Sequence, residues 1–440
     1  MHSVSIWSKT ARRPQFEPLK RDIKTDVLII GGGLTGLLCA HKLTESGVRC
    51  VVAEADRICS GVTKNTTAKV TVQHGLIYDR IVRESGVGAA KLYYAAQSQA
   101  LAEYERLSHL IDCDFERQPS FVYSCTNAAK IKREAEALQR IGCDAKLTQS
   151  TPLPFSVAAA VGIQDQAQFH PLKFAYGLAK HLPIYENTKI QTLFPGGAIT
   201  PHGKIMADKI IIATHFPILN KHGGYFLKMY QHRSYVIALQ GAGDFEGMYV
   251  DEDSKGLSFR HANGLLLLGG GSHRTGKQGG AWKELEQFAH THYPRASVVA
   301  RWATQDCMTL DGLPYIGQYA PHTHGLFVAT GYNKWGMTSA MAAASLLCDL
   351  VQGKQNEYAQ IFAPDRSMLH AQLAVNAAEA MRSILTPTAP RCPHMGCALK
   401  YNAAEHSWDC PCHGSRFTEQ GQVIDNPATD DKKGMGSERS

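Results

Sequence analysis

Cysteine and histidine crowd residues 392–413, with "CPHMGC" at one end and "CPCH" at the other. Cys392 and His394 form a C-x-H pair, and Cys410 and His413 form a C-x-x-H pair. Two thiolates and two imidazoles at such spacings can hold a metal, and zinc takes this donor set readily. Two details argue against a plain zinc site. Cys397 and Cys412 add a further cysteine to each loop. Gly396 and Gly414 occupy turns where a chain running close to an inorganic core needs to carry no side chain.

A second chemical pattern stands near the other end. "TDVLIIGGGLTGLLCAHKLTESGVRCVVAEAD" places Gly31, Gly33 and Gly36 in G-x-G-x-x-G spacing between an apolar run and a helical pattern. The first glycine permits a tight turn, the second lets the backbone approach a pyrophosphate, and the third lets the helix pack on the strand. The free N–H groups and positive end of that helix then hold the anion. Glu54, at the end of the next strand, is placed to accept from a ribose 2′-hydroxyl and disfavours a 2′-phosphate.

These residues need elements to position them. "CSGVTKNTTAKVTVQHGLIYDRI" is a Ser-, Thr-, Gly- and Asn-rich loop suited to wrapping the rest of a long cofactor, and it carries Thr63, Thr67, Lys69 and His74. "IIIATHFPI" reads as a strand returning to the first sheet. "LDGLPYIGQYAPHTHGLFVATGYNKWGM" reads as a turn, a strand and a helix beginning after Gly331. At that helix start, Gly336 and Met337 would bring N–H groups and a dipole toward negative charge.

Over roughly residues 24–362 these motifs, in this order, resemble the FAD-dependent D-amino-acid oxidase-like (DAO) superfamily. The resemblance implies an α/β fold in which a Rossmann-like FAD-binding domain is interrupted by a mixed-sheet substrate domain. FAD-binding segments are expected near 24–85, 150–220 and 300–363, with the substrate domain near 86–149 and 221–299. Expected FAD contacts are Gly31, Gly33, Gly36, Glu54, Thr63, Thr67, Lys69, Gly331, Gly336 and Met337. Cys307, close to Leu310 and Asp311, is expected to leave the flavin unlinked.

In the middle, residues 87–110 and 126–142 show helical periodicity, whereas "QPSFVYSC" and "RSYVIAL" alternate like strands. "GLSFRHANGLLLLGGGSHRTG" predicts a hairpin turning at Asn263 and Gly264. Enzymes of this kind hold a substrate carboxylate with arginine or lysine, whose charge and geometry suit it. Arg260, Lys334 and His273 are therefore the expected catalytic and substrate-holding residues, with Arg274, Arg233, Tyr249 and Trp335 as further candidates. The implied activity is oxidation of a C–N bond in an amino acid or amine.

The C-terminal pattern resembles a Rieske [2Fe–2S] domain. That resemblance implies Cys392 and Cys410 on one iron, His394 and His413 on the other, and a disulfide between Cys397 and Cys412. Ser415 matches a hydroxyl donor of respiratory Rieske proteins, but Phe417 stands where they carry tyrosine, so a potential below theirs is expected. The domain, near 389–430, follows a helical linker at 364–388 and is short. Its base sheet must be abbreviated or completed by packing on the flavin domain. A polar tail at 431–440 is expected to be disordered. Electrons are expected to pass from FAD to the cluster and on to an external acceptor; the alternative is a component that only relays electrons between partners.

Composition excludes several other classes. The 440 residues are 44% hydrophobic and 19% charged, and the net charge of +7 is spread among acids rather than concentrated in a basic run for nucleic acid. No stretch offers about 18 uncharged apolar residues for a membrane span. The N-terminal residues lack a signal-peptide core, so a cytoplasmic location is expected. A Rieske oxygenase also needs a mononuclear iron site, for which the pairs His290/His292 and His322/His324 supply no convincing frame.

Overall fold

The computed structural model describes residues 4–253, 256–279, 281–387 and 390–432. Of the expected disordered tail, residues 433–440 lie outside the described residues. The apolar run Val27 to Ile30 is buried on both faces, as parallel strands between helical layers require. The strand Ile23–Ile30 pairs in parallel with Cys50–Ala53 on one side and Gly203–Ile212 on the other. Leu326–Thr330 and Ile184–Tyr185 extend the parallel sheet, and Tyr315–Gln318 closes one edge antiparallel. The helices Leu34–Glu45 and Gly336–Val351 pack against each other. This is the Rossmann-like half of a mixed α/β fold.

A second, nine-stranded sheet runs in the order Ser297–Thr309, Met229–Gln240, Leu265–Arg274, Ser258–Ala262, Met248–Asp251, Glu116–Ser124, Ala159–Gln168 and Lys69–Val70, with Ala145–Thr148 beside Ala159–Gln168. It is mixed, because Met248–Asp251 runs parallel to Glu116–Ser124. The hairpin at Asn263 and Gly264 has both residues at positive φ, 50° and 71°, as a type I′ turn demands. Lys69–Val70, Ala159–Gln168 and Ser297–Thr309 came from stretches that the sequence reading gave to the FAD segments. They belong to this sheet because ladder pairing, along almost the whole of Ser297–Thr309, outweighs chain proximity to the glycine turn.

The two central strands Met229–Gln240 and Ser297–Thr309 present alternate side chains to opposite sides. His232 pairs with Asp306, and Ser234 with Thr304, in one phase; Gln231, Arg233 and Gln305 stand in the other. The first set lines a large cavity, and the second reaches the C-terminal module, Arg233 and Gln305 lining the cavity where it borders that module. That module has four short antiparallel strands, Lys400–Asn402, Ser407–Asp409, Arg416–Thr418 and Val423–Asp425, preceded by the helix Ala371–Leu385. Among the described residues no helix is long and apolar enough to cross a membrane.

Candidate functional site

One cavity of about 1430 Å³ is lined from both large sheets. At one end lies the glycine turn. Gly31 sits at φ 108°, and a Cβ there would come within 2.6 Å of the Ala213 carbonyl oxygen. Gly36 does not line the cavity; a Cβ on it would meet the Gly31 carbonyl oxygen at 1.9 Å, so its role is to let helix and strand meet. Gly33 faces the cavity at the N-terminus of Leu34–Glu45, where Thr63 Oγ1 accepts from the Leu34 N–H at 3.1 Å. Glu54 accepts from the Gly32 and Asp56 N–H groups, at 2.6 and 2.9 Å, and burial pushes its carboxyl above the usual range.

Thr67, Lys69, Gly331, Gly336 and Met337 line the same cavity. Lys69 donates to Ser258 Oγ at 2.6 Å, and burial, with the Arg260 charge adding, pushes it down to about 7. Beside it, His74 bonds the Tyr93 hydroxyl at 2.6 Å and stacks on Trp335 at 5.1 Å; burial pushes it down to about 3, so it is neutral. A cradle of glycine backbone, helix N-termini and an acidic residue at the second strand fits FAD.

The expected substrate residues divide. Lys334 lines the cavity, donates to Ser272 Oγ at 3.1 Å and is lowered by burial. Arg260 does not line it: its guanidinium binds the carbonyl oxygens of Thr67, Ala68 and Phe169 and lies over the Trp7 ring, so it fastens the threonine loop from behind. His273 is likewise turned away, bonding the Tyr235 hydroxyl and the Arg274 carbonyl oxygen. Arg274 donates to the carbonyl oxygens of Pro411 and Cys412 outside the cavity, whereas Arg233 lines it but is paired with Glu405. Tyr249 stacks on Phe121 outside the cavity. For Arg260, Arg274 and Arg233 the carbonyl and carboxylate acceptors named above explain the placement, because a buried guanidinium is held where acceptors are supplied.

In their place the cavity holds Arg80, Glu252, Asp306 and His232. Arg80 Nε is buried without a hydrogen-bond partner. Burial pushes Glu252 up to about 7, against the charges of Lys130, Lys334 and Arg80, and Asp306 up to about 6, against Lys334 and Arg233. His232, pushed down to about 3 by burial and the Lys334 charge, has an unpartnered buried Nδ1. The signal for Asp306 was present, since a carboxylate interrupts the inward phase of a strand. Arg80, in the first turns of Ile77–Ser108, and Glu252, after Met248–Asp251, carried no such signal.

In the C-terminal module, Cys392 and Cys410 are buried and their thiols lie within hydrogen-bonding reach of each other. The His394 and His413 rings are 5.0 Å apart at 89°, and the Nδ1 atom of each is buried with no partner. Cys397 and Cys412 form a disulfide, and their sulfurs lie within 4.8 Å of Cys410 Sγ. Two neighbouring thiols beside two unpartnered imidazole nitrogens fit a Rieske cluster. The outer nitrogen of His394 is held from the flavin side, by Asn220 Oδ1 at 2.7 Å.

The same side holds the rest of the module. Gln231 donates to the His413 and Asn426 carbonyl oxygens at 2.9 and 2.8 Å. Gln305 donates to the Gly414 carbonyl oxygen at 2.9 Å and to Gln231 Oε1 at 2.6 Å. A Cβ on Gly414 would collide with the Gln231 side chain, and one on Gly276 with the Pro411 backbone, both at 2.5 Å, so both glycines let the two surfaces meet closely.

Known proteins match in the same two parts. Residues 26–350 match the DAO family, described as FAD dependent oxidoreductase, and residues 354–435 match the Rieske [2Fe–2S] domain. A Bacillus subtilis protein named as a Rieske 2Fe–2S iron–sulfur protein, YhfW, is 35% identical over 96% of this chain and 96% of its own length. Gamma-glutamylputrescine oxidoreductase of Escherichia coli is 23% identical over 81% of this chain and 91% of its own. The crystal structure of glycine oxidase from Geobacillus kaustophilus superposes with a TM-score of 0.67 at 21% identity, over 78% of this chain and 99% of that one. The chain belongs to the DAO family of FAD-dependent oxidoreductases and carries a C-terminal Rieske [2Fe–2S] domain, so its cofactors are FAD and a Rieske cluster.

Proposed function

We propose that the protein oxidises the C–N bond of an amino acid or related amine carrying a carboxylate, and passes the electrons through the Rieske cluster to an external acceptor. The observation that carries this reading is Arg80, whose buried Nε has no hydrogen-bond partner, in one cavity with Glu252 and Asp306, two acids raised toward neutrality. Bound FAD supplies the two-electron acceptor, and the cluster carries electrons singly. Arg80 would fork onto the substrate carboxylate. Glu252, near 7, is matched to take the ammonium proton, leaving the neutral amine that oxidation needs. His232 and His74 stay neutral and add no charge against the ammonium. Gln231 and Gln305 keep the His413 loop against the strands whose other phase lines the cavity.

The distant likeness to an oxidoreductase of gamma-glutamylputrescine supports an amine substrate class. The test is an anaerobic screen of amino acids and amines that follows flavin and cluster absorbance together. A substrate should bleach the flavin and then the cluster, and Arg80→Leu should raise KM at least about tenfold for carboxylate-bearing compounds, as loss of a bidentate charged contact does. Reduction by NADH alone, with none by any amine, would favour the electron-relay reading instead.

A further inference from the structure

The helix Ala371–Leu385 is packed inside out. Its fully buried positions are the polar Asn376 and Ser383, whereas Met381, Ile384 and Leu385, neighbours at i, i+3 and i+4 in its last turns, are each half or more exposed. Asn376 Oδ1 accepts from Arg274 at 2.9 Å, and Ser383 Oγ donates to the Ala398 carbonyl oxygen at 3.3 Å. A surface helix ordinarily buries its apolar stripe. A contiguous apolar face left outward marks an interaction site.

This face runs up to the cluster. Arg391 donates to the carbonyl oxygens of Ser383 and Ile384, at 3.4 and 3.0 Å, and to that of Gly396 at 3.2 Å. One guanidinium thus ties the last turn of the helix to the loop that carries Cys392 and His394. In that loop Met395 is itself exposed, beside the ligand histidine. Basic groups stand on the helix and near the cluster loops. Arg382 and Lys400 are exposed, and Lys221 adjoins the Asn220 that holds His394, while the helix acid Glu379 is neutralised by Lys277 at 2.6 Å.

We propose that this face docks the electron acceptor, a small one-electron redox protein with an apolar centre and an acidic rim. The proposal rests on the outward electron flow read above. An apolar patch inside a charged rim has the anatomy of a transient protein interface, and opposite charge would steer encounter. A lipid surface suits the helix less well. It offers no Trp or Phe and a single arginine, and its polar side is committed to protein rather than to headgroups. At each docking the cluster loses one electron and the acceptor gains one. The two electrons of one substrate oxidation leave in two such events, and the two protons go to solvent.

The test uses the full-length holoprotein, reduced with dithionite so that the result does not depend on any amine. Its reoxidation is followed by stopped flow with two probes, an acidic blue-copper protein and the basic cytochrome c. The acidic probe should react faster and with steep salt dependence. Met381→Glu/Ile384→Glu and Arg382→Glu should each slow it by at least about tenfold, with the cluster EPR signal and the melting temperature unchanged. Equal rates for the two probes, or unchanged rates in the variants, would overturn the proposal. So would binding to phosphatidylcholine/phosphatidylglycerol vesicles that the same variants abolish, which would assign the face to membrane. If no amine bleaches the flavin but these rates behave as expected, the substrate reading fails and the docking face stands.

Discussion

Glu252 and Asp306 bring the chamber's charge balance into the range that a pH profile reads. Burial sets them near 7 and 6, so both are protonated at pH 5 and ionised by pH 8. On the proposed roles, kcat/KM for an amine should rise through about pH 7, and Glu252→Gln should remove that rise and cost about 10²–10⁴-fold, the usual worth of a general base. Stability runs the other way. A carboxyl raised above its unfolded value stabilises the fold at low pH, and that contribution is lost as pH rises through about 6 to 7. A thermal melt series should therefore fall from about pH 4, where the unfolded carboxyls ionise, to about pH 7, where the folded ones do, and less so in the variant. Phe417, fully buried beside the cluster cysteines, is a second point where one atom matters. Phe417→Tyr should raise the cluster potential by adding a donor, and Ser415→Ala should lower it, both read by EPR-monitored redox titration. The glycine turn, Glu54 and the cysteine–histidine loops were legible because each is a local pattern with one chemical use. Arg80 and Glu252 were not, because only tertiary folding brings a helix start and a strand end to one chamber.

The strands Met229–Gln240 and Ser297–Thr309 do the work of an element rather than of any one residue. Their alternation puts His232 and Asp306 in the chamber and turns Gln231 and Gln305 to bond the cluster module, Gln305 at the chamber's border with it. Both glutamines are about 1% exposed, and together they satisfy carbonyl groups of His413, Gly414 and Asn426. Gln231→Leu would leave two of those carbonyls without their donor, costing about 1–3 kcal/mol. In a single-turnover experiment the cluster of this variant should then reduce later than the flavin bleaches, while FAD content is unchanged; simultaneous bleaching at the wild-type rate would show that the amides carry no positioning. Alternation and the Asn263–Gly264 turn made these strands readable in sequence. Which phase faced which partner was not readable, since both phases are polar. The same ambiguity hid the inverted helix Ala371–Leu385, whose periodicity marks an apolar face without saying that it points outward.

At the scale of the molecule, charge fastens the two modules together. Arg233 and Arg416 grip Glu405 from opposite modules, and Arg416 also binds Asp409 at 2.9 Å and Asp425 at 3.1 Å. The shortness of the Rieske segment foretold that it would lean on the flavin side. Of the two arginines that do the fastening, both expected in the substrate chamber, Arg274 lies outside it and Arg233 lines it while paired with Glu405. An arginine on a strand announces a carboxylate or carbonyl partner but not which module supplies it. Burial alone would raise Glu405, yet the charges of Arg233 and Arg416 outweigh it and hold its carboxyl below the usual range. A lowered carboxyl contributes stability above its unfolded value of 4.5, and that contribution is lost as pH falls through the folded one. The docked arrangement should accordingly persist at neutral pH and loosen below about pH 4.5. Arg233→Ala, which leaves the Glu405 charge with one partner fewer in a buried site, should cost about 3–5 kcal/mol. Limited proteolysis is the direct measure: the variant should release a C-terminal fragment near residue 370 at neutral pH, as wild type should only in acid. Arg233→Ala/Glu405→Gln should recover part of the loss, because it removes the unpaired charge. Equal resistance of wild type and variant at every pH would mean that packing and the amide contacts alone hold the cluster against the flavin domain.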